Sequence, residues 1–141
     1  MKREEEIVKS LCGRFPFLTD NINIQKDKRI FTNFLSREEF EQVIKFVHDE
    51  LNFFRASHVV GTDEGENLGL LYILSDHENI LLVLRETVSK KDPVVKSVSD
   101  MYPSIVLHER ELADLFGVIV EGLPEGPRYP LPDGWPQGNY P

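Results

Sequence analysis

Cysteine is nearly absent from this sequence: Cys12 stands alone among 141 residues. A single thiol closes no intramolecular disulfide, and it falls short of the several thiolates that an iron-sulfur cluster or structural zinc site requires. Cys12 shares a helical stripe with Val8 and Leu11 and reads as a packed structural residue. Basic residues are also scarce, 16 against 24 acidic ones for a formal charge of -8. That balance opposes a phosphate-neutralising nucleic-acid surface. There is no apolar run approaching the roughly 20 residues that span a bilayer, and the opening MKREEEIVKSL is too acidic for a secretory signal. The expectation is a soluble, cytoplasmic protein. The glycine-rich dinucleotide turn, the P-loop and a nucleophile elbow are all missing, which leaves no phosphate cradle and no serine triad to draw.

What is present is an ordinary globular composition, 40% hydrophobic and 28% charged. Residues 2–13 carry Ile7, Val8, Leu11 and Cys12 at helical spacing, with Glu4, Glu5 and Glu6 at the favourable N-terminal end and Gly13 placed to stop the helix. NINIQ, a KDK turn and RIFTNFL predict a hairpin over about 21–35. Ser36 and Glu39 form a capping box ahead of a helix whose apolar face is Phe40, Val43, Ile44, Val47 and Leu51. Three strands follow: 53–61, then LGLLYIL and ENILLVLRETV, separated by TDEGEN and SDHE. Hairpins mixed with helices in this order predict an α+β two-layer sandwich: helix, two strands, helix, three strands, helix, on a mixed sheet. Residues 1–121 form one such domain, and 122–141 form an extended proline-rich arm.

The most informative stretch is HERELADLFG, His108 to Gly117. Ser104 is placed to cap a helix over 105–116, with Gly117 as its left-handed stop. A helical wheel gathers Ile105, Leu112, Leu115 and Phe116 on one side and Arg110, Glu111 and Asp114 on the other, with Leu107 among the charges. Glu109 falls on the flank of the apolar face, where a carboxylate needs a partner or suffers a raised pKa. Arg128 is one partner the sequence offers. Two chemical readings stand beside a docking role. Glu109 with His108 would serve a small acid-base enzyme. His108, Glu111 and Asp114 have metal-ligand spacing, but they lack the second ligand pair from another helix. His48, His58 and His77 are scattered over a helix end, a strand and a turn. The arm holds six of the nine prolines and the sole tryptophan; Tyr129, Trp135 and Tyr140 in it are anchor-type residues for a partner surface.

From SVSDMYPS through the helix pattern Glu-Arg-Glu-x-x-Asp-x-Phe-Gly (Glu109, Arg110, Glu111, Asp114, Phe116, Gly117), the sequence resembles the 30 kDa subunit family of NADH:quinone oxidoreductase. The family's relatives lie in membrane-bound nickel-iron hydrogenases and formate hydrogenlyase. The resemblance implies an α+β domain without redox centre, cofactor or metal of its own. It implies a place in the hydrophilic part of the complex, against the hydrogenase-large-subunit-like (49 kDa-type) subunit and a neighbouring small subunit. Contact with the membrane would be indirect, at its inner face through the complex. On this reading Glu109, Arg110, Glu111, Asp114, Arg128, Trp135 and Tyr140 bind the partner, while Phe116 and Gly117 are structural. Gly122-Leu123-Pro124 stands where respiratory members often have Gly-His-Pro, and LPDGWPQGNYP is closer to the hydrogenase branch. Family members usually continue past Tyr-Pro with a basic segment, so a sequence ending at Pro141 fits a truncated protein or the first domain of a longer polypeptide.

Overall fold

A computed structural model of the protein describes residues 2–33 and 35–123. The N-terminal helix α1 (Arg3–Arg14) starts with its three glutamates in the first turn, and the buried Glu4 accepts from the Lys28 backbone N–H at 3.2 Å. Strands β1 (Ile22–Lys26) and β2 (Arg29–Thr32) form the expected hairpin. Helix α2 (Arg37–Asp49) carries a complete capping box: Ser36 Oγ accepts from Glu39 N at 3.2 Å, and Glu39 Oε1 accepts from Ser36 N at 3.0 Å. Strands β3 (Arg55–Glu64), β4 (Asn67–Ser75) and β5 (Leu81–Ser89) follow. Much of TDEGEN is strand, not turn; β3 runs through Glu64 and the backbone reverses at Gly65, whose φ of 83° suits glycine.

The five strands make one mixed sheet in the order β1-β2-β5-β4-β3, with β2 and β5 parallel and every other pair antiparallel. This is the α+β architecture read from the element order. Two short strands have no counterpart in the sequence pattern: β6 (Val94–Lys96) and β7 (Ile119–Glu121) pair in parallel, with helix α3 (Val106–Phe116) between them.

Register divides the sheet into two unlike faces. Val59, Tyr72 and Leu84 stand opposite one another on the inner face, with Leu70, Leu74, Leu82 and Ile30, all 0–3% exposed. Helix α2 lays Phe40, Val43, Ile44 and Val47 on this face, Phe40 stacking on Tyr72 with ring centroids 4.5 Å apart. Burying each such side chain contributes about 1.5–3 kcal/mol. The end of α1 joins the same layer through an edge-on contact of Phe15 with Phe46. The outer face carries Phe31, Val83 and Ile73 in one row and Arg85, Leu71 and Val60 in the next, all half-buried or exposed.

Ser104 does not cap the last helix. Pro103–Ile105 form a 3-10 turn leading into α3, and Ser104 Oγ donates to the carbonyl of Ala56 at 3.2 Å, pinning the turn to β3. Arg128, Tyr129, Trp135 and Tyr140, and nearly all of the expected arm, lie outside the described residues.

Candidate docking site on the third helix

Helix α3 sits at the β3 edge and is seated by three contacts. At its C-terminal end the half-buried Phe116 ring lies against Gly61 of β3, where a Cβ would come within 2.7 Å of it. Gly117 then ends the helix at φ 72°, its N–H donating to Ala113 O at 3.2 Å. Before the helix, the buried Tyr102 donates its hydroxyl to Phe53 O at 2.5 Å and sets its ring edge-on to His48. Gly61→Ala therefore forces the Phe116 ring or the strand to shift, with an expected loss of about 1–3 kcal/mol in denaturant unfolding. Phe116→Leu in the same background should recover part of it.

The third contact is Glu109, fully buried. Its Oε1 accepts from Ser97 Oγ at 2.7 Å and its Oε2 from Val98 N at 3.0 Å, with Ser99 Oγ 2.8 Å from Ser97 Oγ. Burial raises its pKa above the ordinary carboxylate value, and the Ser97 and Val98 bonds pull it back down. The flank position read from the wheel is thus an interior one, and among the described residues its donors come from the loop after β6. Arg110, Glu111 and Asp114 are half-buried on the remaining surface of α3, and Leu107 is 52% exposed among them.

His108 and Glu109, adjacent in sequence, part company in space. Glu109 turns inward, while the His108 ring packs on His58 of β3 with centroids 4.4 Å apart. Burial and the neighbouring His58 lower the His108 pKa, opposed by Glu111. The acid and the base share no common reaction point, so the acid-base reading gains no support. No group of three or more histidine, cysteine or acidic side chains is placed to hold a metal among the described residues. The groove of about 190 Å³ beside Ser97 and Val98 is lined by Glu41, Lys45, Lys96 and Asp100 together with Ile44 and Met101, and Glu109 lies behind its wall.

One group has no forewarning in the motifs. Glu86, on the inner face of β5, is 1% exposed and neither carboxyl oxygen has a hydrogen-bond partner; the Tyr72 hydroxyl is equally orphaned. Burial first, then the charge of Glu41, push the Glu86 pKa up to about 8; Glu109 and Glu38 add to this and Arg37 opposes it. The available signal is a glutamate at an inward position of LLVLRETV, between Leu84 and Val88.

Residues 34–141, which include all of α3, match the family of the respiratory-chain NADH dehydrogenase 30 kDa subunit. The protein belongs to this family. Members of the 30 kDa subunit family are components of multisubunit oxidoreductases rather than stand-alone enzymes. A membrane-bound hydrogenase subunit beta from Pyrococcus furiosus is 28% identical over all of this chain and 84% of its own length. Two solved structures share the fold. The protein aligns with one polypeptide of the archaeal membrane-bound sulfane sulfur reductase at a TM-score of 0.77 and 20% identity, over 87% of this chain and 73% of that one. It aligns with the trypsin-resistant fragment of Nqo5 at 0.72 and 23%, over 89% of this chain and all of the fragment. The match to the 30 kDa subunit family covers α2, the three long strands and α3, but not α1. No helix among the described residues is long and apolar enough to cross a membrane.

Proposed function

We propose that this protein is a non-catalytic assembly subunit, or domain, of a complex I-like NADH:quinone oxidoreductase or an energy-converting hydrogenase, binding the hydrogenase-large-subunit-like (49 kDa-type) subunit and a neighbouring small subunit. The observation that carries the reading is the division of labour on α3. One carboxylate, Glu109, is spent inside as a brace, while Leu107 stands 52% exposed among Arg110, Glu111 and Asp114. An apolar side chain held outward on a rigidly seated, charged helix is the composition of a partner contact. Arg128, Trp135 and Tyr140 extend that contact along the arm. The protein brings no cofactor and sits at the inner face of the membrane through its partners.

Co-expression with the large-subunit-like and small-subunit-like proteins tests this. Leu107→Asp and removal of residues 122–141 should each reduce co-purification about tenfold or more, a difference of about 1.4 kcal/mol or above in affinity. Undiminished co-purification of both variants overturns the reading.

A further inference from the structure

Ser104, His108 and Phe116 each meet β3, in the same order along both elements. Ser104 Oγ donates to the Ala56 carbonyl at 3.2 Å, the His108 ring lies on His58 with centroids 4.4 Å apart, and the Phe116 ring lies against Gly61. The first and last of these contacts, a hydroxyl and a phenyl ring, carry no charge between roughly pH 5 and 8. The middle one consists of two imidazoles, the side chains whose charge changes in that range. It adjoins Leu107, which stands 52% exposed on the docking surface.

The two rings are tilted by 46°. His58 is exposed and sets its Nδ1 2.9 Å from the Ser57 carbonyl. That carbonyl only accepts, so Nδ1 carries a proton in either charge state and Nε2 takes up the added one. A first proton on this exposed ring stays solvated and faces a neutral neighbour. A second must go to the half-buried His108 and sets two like charges 4.4 Å apart. The surrounding elements offset this only in part. On α3, Glu111 favours a charged His108, but burial and His58 outweigh it and hold the His108 pKa below the ordinary 6.5. Arg110 and Asp114 share that helix surface. On β3, Arg55 lies over the Phe54 ring, and the residue of β4 opposite His58 is the uncharged Ile73.

We infer that His58 and His108 are a pH-sensitive latch: with at most one proton added the pair holds the first half of α3 on β3, and with two it lets that part of the helix loosen. The inference stands on the helix–strand contact. It rests on the assembly reading only for its use, a weaker capture of the partner around Leu107 in mild acid. The direction follows from the His108 pKa. Above 6.5 the ring is neutral whether latched or free; as pH falls below 6.5 the free ring takes a proton that the latched ring resists, so opening gains until the latched ring is protonated too. Glu86 and Glu109 do not imitate this, because their raised pKa values make the fold tighten as pH falls.

The test uses the isolated protein of 141 residues, as wild type and as His58→Gln, which keeps a polar side chain without the charge. Imidazole titration by NMR should place His108 below an ordinary histidine in the wild type and higher in the variant. Hydrogen-exchange protection of the Glu111 and Leu112 amides, relative to that of β4, should fall about threefold or more from about pH 7.5 to about pH 5.5, and the fall should vanish in His58→Gln. Protection independent of pH in the wild type, or an equal fall in the variant, overturns the latch. If the variant does not fold, the wild-type titration decides: a His108 midpoint at or above the ordinary value overturns it. Capture of the large-subunit-like protein at both pH values separates the two readings. A protein that captures no partner at either pH sinks the assembly reading and leaves the latch standing, while capture with pH-independent protection sinks the latch alone.

Discussion

Replacing Glu86 by glutamine should raise the stability of the isolated protein at pH 8, and leave it nearly unchanged near pH 4. The carboxyl is 1% exposed, its oxygens are unpartnered, and its pKa is pushed up to about 8 from an ordinary 4.5. Below 4.5 it is protonated in both the folded and the unfolded state and costs no ionisation energy. Between 4.5 and 8 the unfolded state gives up the proton while the fold retains it, so stability falls as pH rises; above 8 both are ionised and the penalty is complete. At about 1.36 kcal/mol per pH unit the full penalty approaches 5 kcal/mol. Relaxation around a buried charge lowers this, and a gain of about 1–3 kcal/mol for Glu86→Gln at pH 8 is the expected outcome, since the amide is neutral but still unpartnered. Glu109, whose pKa is also raised, contributes a slope of the same sign, so the variant should flatten the pH profile without levelling it. Urea melts of both proteins from pH 4 to 9 decide this. Parallel profiles would show that Glu86 is solvated or paired.

Glu109→Ala is expected to act in the opposite direction, with a loss of about 2–4 kcal/mol. Alanine leaves the Val98 N–H buried without its acceptor, frees Ser97 Oγ from its carboxylate and opens a cavity between α3 and the loop after β6. Glu109→Gln retains the volume and one acceptor oxygen, and should cost about half as much. The local signature is faster hydrogen exchange at the Val98 amide, outpacing any change in the central strands. If the alanine variant unfolds within about 0.5 kcal/mol of wild type, the carboxylate is not a brace, and the interior position of Glu109 needs another account.

Elements with local determinants are readable in the sequence. Ser36 and Glu39 announce α2 because a capping box is a contact between residues three apart. Gly117 announces the end of α3 because left-handed backbone favours glycine. What sequence could not reveal is long-range. Ser104 has the look of a cap, but its hydroxyl goes to Ala56, 48 residues away. β6 and β7 are three residues each, too short for any periodicity, and are recognisable only once α3 brings them together. The same holds for Glu109. The wheel places it at the margin of the apolar face and offers Arg128 as its partner, because nothing in SVSDMYPS marks Ser97 and the Val98 amide as a carboxylate's receptors. His58 and His108 are unrelated in sequence until the β3–α3 packing lays one ring on the other.

The short parallel ribbon has a mechanical consequence. Glu121 is tied to Ser97 by the backbone, and the Ser97 hydroxyl is tied to Glu109 in the helix above. Ser97 therefore serves two elements at once, its N–H holding the end of β7 and its hydroxyl the buried carboxylate of α3. Taking that carboxylate away should loosen the ribbon as well as the helix, without disturbing the hydrogen bonds of the five-stranded sheet.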